Sequence, residues 1–211
     1  VTGTGSFAGP QRLDVATAEG TCSMPFARAI VAVGSRAVQL PAFPDDPRVL
    51  GSTSALALDA VPQRLLVVGG GVIGLELATV YEALGAEVTI VEALDRLMPG
   101  PDPDLVRPLQ RRLEPRLAAI HLRTKVTGVE ARGDGLLVAL EGPKAPAREL
   151  FDRVLVAVGR KPNGDRIGAE AAGLHVGEDG FVAVDARMAT NLPHVFAIGD
   201  VARAPLLAHK A

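Results

Sequence analysis

The chain has 211 residues, of which 48% are hydrophobic and 22% are charged, and its formal net charge is -2. This composition is typical of a folded globular protein and excludes a disordered, highly charged segment. The small net charge gives no electrostatic reason to expect nucleic acid or an anionic membrane as a partner.

The sequence carries no signal for membrane insertion or export. It contains no run of 18 uncharged apolar residues, and its first residues do not join a basic region to an apolar one. Cys22 is its only cysteine, so no internal disulfide can form and a reducing, cytoplasmic location is the default expectation. The chain also lacks an initiating Met, which suggests that it begins inside a longer protein.

The first segment, up to about Pro62, is predicted to form short strands and turns. An apolar run at residues 29–33 has the length of a strand and ends at Gly34. Residues 39–50 contain three prolines, which favours an irregular linker.

Residues 64–92 predict a strand–helix–strand unit. Residues 65–68 form a buried apolar strand and are followed by three glycines. Apolar residues then recur every three or four positions over residues 72–84, which predicts a helix, and Gly85 lies where a C-terminal cap belongs. The second strand is predicted over residues 87–91.

The remaining elements are less regular. The Asp-Pro-Asp sequence at residues 102–104 predicts the start of a helix that reaches about Leu113. A glycine-rich hairpin turn is predicted at residues 133–135. Further strands are predicted over residues 121–130, 135–140, 153–158, 181–184 and 195–198.

The motif Gly69-x-Gly71-x-x-Gly74 carries the clearest chemical signal. It follows a predicted strand and opens a predicted helix, which is the context that a dinucleotide-binding motif requires. Gly69 permits a tight turn, Gly71 lets the backbone approach a pyrophosphate, and Gly74 lets helix and strand pack closely. The helix then presents free N–H groups and its positive dipole end to the phosphates. The motif therefore predicts a dinucleotide site.

Glu92 closes the second strand, 18 residues after Gly74. A carboxylate at this point can accept hydrogen bonds from both hydroxyls of an adenosine ribose and would repel a 2′-phosphate, so NAD is favoured over NADP. Arg96, four residues further on, is the one cation nearby that could weaken this preference.

Two other acids have two interpretations each. Glu76 is predicted in the first helical turn, where it either complements the helix dipole or approaches a nicotinamide. Asp200, taken by itself, is better explained by a turn than by a hydrogen bond to a cofactor polyol. No metal site or catalytic nucleophile is predicted, since Cys22 has no basic neighbour and no Cys or carboxylate lies at ligand spacing from any of the histidines, His121, His175, His194 and His209.

Five segments together resemble the dihydrolipoamide dehydrogenases, a family of pyridine nucleotide–disulfide oxidoreductases. They read GGGVIGLE (residues 69–76), VTIVE (88–92), LVAVGRKPN (155–163), TNLPHVFAIGD (190–200) and LLAHKA (206–211), and they follow the order of the family along the whole chain. Glu92 and the last segment favour this family over the glutathione and mercuric reductases.

The resemblance implies an α/β fold, with a Rossmann-like NAD-binding domain made of a parallel sheet plus a β-meander and flanked by pieces of an FAD-binding domain. The implied bounds are 1–61, 62–159 and 160–211. The implied activity is oxidation of a protein-bound dihydrolipoyl group, with electrons passing through a redox disulfide and FAD to NAD. The implied partners are a lipoyl-bearing protein of the 2-oxoacid dehydrogenase complexes and, in the full-length enzyme, a second copy of the same chain.

The resemblance also assigns cofactor contacts. It implies that Glu76 lies near the nicotinamide, that Asp200 binds the ribityl chain of FAD, and that His209 lies near the flavin. The other implied FAD contacts are Gly5, Gly34 and Ala208. The other implied NAD contacts are Gly69, Gly70, Gly71, Val72, Ile73, Gly74, Glu92, Val126, Ala157, Val158, Gly159 and Arg160.

Several parts of the family pattern are missing from these residues. They lack the FAD-binding GxGxxG near the start, the redox CxxxxC, the C-terminal His–Glu base and the domain that forms the dimer. We therefore expect a fragment that has no dihydrolipoamide dehydrogenase activity alone and binds FAD weakly or not at all. A non-catalytic NAD-binding module and another flavin disulfide reductase remain alternatives, although the matches at Asp200 and at residues 206–211 argue against the former.

Overall fold

A computed structural model describes residues 1–207 of the chain. These residues form two compact units: residues 37–159 make up one, and residues 1–36 together with those from Arg160 onward make up the other. The domain bounds expected from the family resemblance stay a prediction. Within residues 1–207 no helix has both the length and the apolar character needed to cross a membrane.

The discontinuous unit begins with an antiparallel meander. Phe7 and Val15 point from its first two strands into a core, whereas the third strand is exposed along its whole length. Each of the first two strands thus buries one residue fully, and the third buries none. The strands of this region are Thr4–Gly9 (β1), Arg12–Thr17 (β2), Gly20–Pro25 (β3), Ala29–Val31 (β4) and Ser35–Ala37 (β5).

The continuous unit is built on a parallel sheet of five strands. Its first elements are Val49–Leu50 (β6), Ser52–Ala55 (α1), Arg64–Val68 (β7), Val72–Ala83 (α2), Glu87–Val91 (β8), Pro103–Leu113 (α3) and Ala119–His121 (β9). The unit is completed by Lys125–Arg132 (β10), Gly135–Glu141 (β11), Arg148–Phe151 (β12) and Arg153–Val156 (β13). The strand order is β6-β13-β7-β8-β9, and every neighbouring pair is parallel.

Both faces of this sheet are covered, and the central strand β7 shows how. Leu65 and Val67 pack with the residues of α2 on one face, whereas Leu66 and Val68 pack with the antiparallel meander β10-β11-β12 on the other. A strand that is buried on both faces has no polar alternation, which explains the continuous apolar run in the sequence. The predicted combination of a parallel sheet and a β-meander is confirmed.

The strand–helix–strand unit matches its prediction closely. Helix α2 starts directly after Gly71 and ends at Ala83, two residues before Gly85, which adopts a positive φ of 102°. Strand β8 has the predicted bounds, and α3 begins after Asp102 as expected, although the Asp102 side chain makes no capping hydrogen bond. The glycine hairpin is also confirmed, because Arg132 pairs with Gly135 across a two-residue turn.

Two strand predictions in this unit need correction. The strand predicted over residues 121–130 is two strands, β9 and β10, because the chain turns at Arg123, whose φ is 53°. The strand predicted over residues 153–158 ends at Val156, and β12 was not predicted. Strand β12 was missed because its first two residues, Arg148 and Glu149, are charged, which leaves too few apolar residues for a strand pattern.

The chain then returns to the discontinuous unit through Arg160–Pro162 (β14), Ala169–Ala172 (α4) and Val195–Ala197 (β15). Strand β15 runs parallel to β4, and both contribute to a core with Phe7, Ile167 and Val182. The strand predicted over residues 181–184 is wrong, since only a single bridge joins Val182 to Val176. Strand β15 confirms the prediction over residues 195–198, although it stops at Ala197.

Candidate functional site

The glycine loop between β7 and α2 is shaped by backbone contacts that exclude side chains. Gly69 has a φ of 109°, and a Cβ atom at this position would lie 2.4 Å from the carbonyl oxygen of Ala157. A Cβ atom on Gly74 would lie 2.0 Å from the carbonyl oxygen of Gly69. Glycine is therefore required at both positions, the first for the turn and the second for the close approach of helix and strand.

Gly71 differs from these two glycines because the space beside it is open. A Cβ atom here would meet no atom within 4 Å, and Gly71 is the N-cap residue of α2 without a side-chain cap. The first hydrogen bond of the helix runs from the Leu75 N–H to the Gly71 carbonyl oxygen, at 3.0 Å. The N–H groups of Val72, Ile73 and Gly74 thus have no partner within the helix, and a phosphate could accept them.

Glu92 lies at the end of β8 and is buried, with 9% of its surface exposed. Its Oε2 accepts a hydrogen bond from the Gly70 N–H at 2.7 Å, and its Oε1 accepts one from the Leu94 N–H at 2.8 Å. The predicted acid therefore contacts the predicted glycine loop directly. Each carboxylate oxygen retains a second lone pair that can accept a ligand hydroxyl.

The segment after β13 lies beside the same loop. The Ala157 N–H donates to the Val68 carbonyl oxygen at 2.8 Å, which fixes Ala157 against Gly69. Val158 and Gly159 follow as exposed residues, and Gly159 has a φ of 131°. Val126 lies on β10, half-buried against the core on the meander side of the sheet. The structure thus gathers the glycine motif, Glu92 and Ala157 at one edge of the sheet.

The placement of Glu76 differs from the prediction. Helix α2 begins at Val72 and has no acid in its first turn, so Glu76 lies in the second turn, where its side chain is exposed. Glu76 is the fifth residue of α2, so it lies just beyond the first turn in which it was predicted. Glu76 is therefore too far along α2 to complement the free N–H groups at its start, because the dipole effect decays within the first turn.

A second group of predicted residues meets in the discontinuous unit. Ser35 Oγ donates to Asp200 Oδ2 at 2.5 Å, and Arg160 donates to Ser35 through Nε at 2.7 Å and to its carbonyl oxygen through Nη2 at 2.6 Å. Arg160 Nε also lies 4.0 Å from Asp200 Oδ2. Gly34, which has a φ of 63°, directly precedes Ser35. Because β4 and β15 are parallel neighbours, the residues that follow the two strands, among them Gly34 and Asp200, lie at the same edge.

Arg36 connects β5 to the segment that follows β14. Its two terminal nitrogens donate to the Asp165 carboxylate at 2.8 and 2.7 Å, and this hydrogen bonding lowers the pKa of Asp165 well below its ordinary value. Gly5 lies on β1, which belongs to a different sheet from β4 and β15, with open space beside it. The predicted positions Ala208 and His209 lie outside the described residues.

Three residues with a role in these contacts were not predicted. Ser35 connects Arg160 to Asp200, and its only sequence signal is its place directly after Gly34 at a strand end. Leu94 and Met98 supply backbone N–H groups to Glu92 and to Gly70, and backbone donors leave no trace in residue identity. Within residues 1–207 no three His, Cys, Asp or Glu side chains converge in a way that could hold a metal ion.

Comparison with known proteins agrees with the family resemblance found in the sequence. The family model of the pyridine nucleotide-disulphide oxidoreductases matches residues 2–211. The dihydrolipoyl dehydrogenases of Vibrio cholerae and Vibrio parahaemolyticus are 50% and 49% identical to the chain over 212 residues, covering 100% of it in both cases. The chain spans 44% of the length of each of these two relatives.

A solved structure gives the corresponding likeness in three dimensions. The flavoprotein disulfide reductase RclA from Escherichia coli, in its Cu(II) complex, matches with a TM-score of 0.90 and 28% sequence identity. The match covers 99% of the present chain and 47% of RclA. On this evidence the chain belongs to the pyridine nucleotide-disulphide oxidoreductase family, whose members include flavoprotein disulfide reductases.

Proposed function

We propose that the chain is the NAD-binding portion of a flavin-dependent dihydrolipoyl dehydrogenase, which oxidises protein-bound dihydrolipoyl groups and passes hydride through FAD to NAD. The support is the 50% identity to the Vibrio cholerae enzyme along the whole chain. Because the chain spans 44% of that enzyme, the proposed activity is that of the longer protein. Another flavin disulfide reductase is the second candidate, favoured by the likeness to RclA.

The observation that carries the proposal is the open face of Gly71 at the start of α2. The space beside Gly71 and the free N–H groups of Val72 and Ile73 fit a dinucleotide pyrophosphate, and Glu92 lies at the end of the adjacent strand to accept ribose hydroxyls. The remaining proposed NAD contacts, Val126 and Ala157 to Gly159, lie on the same unit. The dinucleotide, when bound, supplies the hydride-accepting nicotinamide, and the protein supplies position and electrostatics.

The preference for NAD over NADP rests on the charge of Glu92. A 2′-phosphate would have to approach a buried carboxylate that backbone N–H groups already hold in place. Arg96 donates to the Pro99 carbonyl oxygen at 3.1 Å and is exposed, so its guanidinium is engaged with the backbone rather than with Glu92. These contacts favour NAD.

The discontinuous unit fits one edge of an FAD site. Within residues 1–207 all polar contacts of Asp200 are made through Oδ2, which leaves Oδ1 available to a ribityl hydroxyl. Gly34, which follows the neighbouring strand β4, offers open space. Arg160, which the resemblance assigned to NAD, is engaged here with Ser35.

The chemistry of the dithiol needs groups beyond these residues. Cys22 is exposed on β3 and is the only cysteine among the 211 residues, so they cannot supply a redox pair. The lipoyl-bearing partner, the homodimer and the cytoplasmic location are accordingly proposed for the longer protein. The 211 residues alone are expected to bind NADH without oxidising dihydrolipoamide.

The proposal is tested by filling the open space at Gly71. Gly71→Val adds a side chain that meets no protein atom nearby, at a backbone conformation that valine adopts readily, so the fold is kept while the pyrophosphate is displaced. Gly100→Val is the matched control, since Gly100 is equally open but lies outside the proposed site. NADH fluorescence titration should show binding to the unaltered chain and the control only. Equal binding by all three chains would contradict the proposed site.

A further inference from the structure

Gly70, the middle glycine of the loop, is contacted by three residues of the segment that follows β8. Its N–H donates to Glu92 Oε2 at 2.7 Å, and its carbonyl oxygen accepts from the Met98 N–H at 2.9 Å. A Cβ atom on Gly70 would lie 2.5 Å from Leu97 Cδ2, so the Leu97 side chain closes the remaining side. Gly70 is therefore held by residues 92–98 in addition to its own turn.

Glu92 is itself held firmly enough to act as the anchor. Its N–H donates to the His121 carbonyl oxygen at 2.9 Å, and its carbonyl oxygen accepts from the Thr124 N–H at 2.9 Å. Its second carboxylate oxygen is held by the Leu94 N–H. A buried carboxylate with two backbone donors is a stiff, charge-assisted link, because both hydrogen bonds would be lost together if the side chain moved.

From these contacts we infer that Glu92 is a positioning residue for the pyrophosphate loop, in addition to being a ribose acceptor. The inference rests on the proposed dinucleotide function. The carboxylate fixes Gly70, and Gly70 fixes the neighbouring Gly71, whose open face admits the phosphates. Affinity for any adenine nucleotide diphosphate then depends on Glu92, whether or not the ribose carries hydroxyls. Replacement of Glu92 alone consequently removes the repulsion of a 2′-phosphate but also loosens the pyrophosphate loop, so it does not exchange NAD for NADP cleanly.

The test uses Glu92→Gln, which keeps the size of the side chain but can accept only one of the two backbone N–H groups. Glu87→Gln, at the exposed start of the same strand, is the matched control. NADH binding is measured by fluorescence, and ADP and 2′,3′-dideoxy-ADP are measured by displacement of NADH. The dideoxy compound lacks both hydroxyls that Glu92 would accept, so it reports on the phosphate loop alone.

We expect Glu92→Gln to unfold at a lower temperature but still in one cooperative transition, and to bind dideoxy-ADP about fivefold more weakly or worse, whereas Glu87→Gln should match the unaltered chain. The amide proton of Gly70 should also move upfield in the NMR spectrum of the ligand-free variant, as loss of a carboxylate acceptor requires. Dideoxy-ADP binding within twofold of the unaltered chain would overturn the positioning role and leave the proposed function intact. Failure of the unaltered chain to bind NADH would overturn both.

Discussion

The hydroxyl of Ser35 donates a 2.5 Å hydrogen bond to Oδ2 of Asp200, although 165 residues separate the two along the chain. The contact exists because β4 and β15 are parallel neighbours, so that the residues following each strand emerge at the same edge. Arg160 completes the group by donating to both the side chain and the backbone of Ser35. A serine that no motif marks is thus the link between two motif residues.

Ser35→Ala should destabilise the discontinuous unit by about 1–2 kcal/mol, because Asp200 and Arg160 both lose a partly buried partner. Urea unfolding followed by circular dichroism measures the change. Ser23→Ala, on the exposed strand β3, serves as the control and should change stability by less than about 0.5 kcal/mol. An equal effect of the two substitutions would show that the Ser35 group contributes nothing.

Gly74→Ala should be among the most damaging small substitutions in the continuous unit. The added methyl group would lie 2.0 Å from the Gly69 carbonyl oxygen, so helix α2 must move away from β7, at a cost of about 3 kcal/mol. Gly71→Ala, three residues earlier, meets no atom and should cost less than about 1 kcal/mol. Thermal unfolding of the two variants should give a clearly lower midpoint for Gly74→Ala than for Gly71→Ala. Similar midpoints would refute the close approach of helix and strand.

Tyr81→Phe should cost about 1–2 kcal/mol. The Tyr81 hydroxyl donates to the Ala55 carbonyl oxygen at 2.8 Å, and both residues are almost fully buried, so the substitution leaves a buried acceptor unpaired. The same burial raises the pKa of Tyr81 above its ordinary value. Val80→Ala, at an exposed position of the same helix, is a suitable control. Wild-type stability of Tyr81→Phe in urea unfolding would argue against this contact.

Asp46 should make stability depend on pH in the acid range. Hydrogen bonds from Arg48 lower the pKa of Asp46 from 3.8 to about 2, so the unfolded chain takes up this proton at higher pH than the folded one. The contribution is complete above about pH 4 and is lost as the pH falls to about 2. NMR titration of the carboxyl carbon checks this, and Arg48→Gln should raise the midpoint. A midpoint near 3.8 in the unaltered chain would exclude the interaction.

The 211-residue chain should form no NADH from dihydrolipoamide and NAD, because its single cysteine cannot exchange with a dithiol to give an internal disulfide. It should also be purified without a flavin absorption band, since the described residues encode only one edge of the proposed FAD site. Absorbance at the NADH wavelength measures the enzymatic activity, and a visible spectrum of the purified chain measures bound flavin. Steady, lipoamide-dependent formation of NADH or a yellow preparation would contradict the respective expectation.

The elements predicted correctly are those whose signal is local. Helix α2 and strands β7 and β8 follow from apolar periodicity and from the glycines between them, and the roles of Gly69 and Gly74 follow from the backbone contacts that the motif requires. The split between β9 and β10 depends on a positive φ at Arg123, which residue type does not disclose.

The contacts of the candidate site were harder to predict, because they too depend on backbone geometry that residue type does not disclose. Glu92 was expected to face a ribose, but its fixed partners are the backbone N–H groups of Gly70 and Leu94, which any sequence would supply. Ser35 required knowledge of which strands are neighbours in the sheet. Tertiary pairing, not composition, decides such contacts.

A calorimetric titration of the unaltered chain with NADH and, in parallel, with NADPH tests the central claim most directly. The buried carboxylate of Glu92 at the edge of the glycine loop predicts that NADH binds at least about tenfold more tightly, because a 2′-phosphate would face an unneutralised like charge. Equal or tighter binding of NADPH would contradict the account, since Glu92 would then not govern the ribose end of the site.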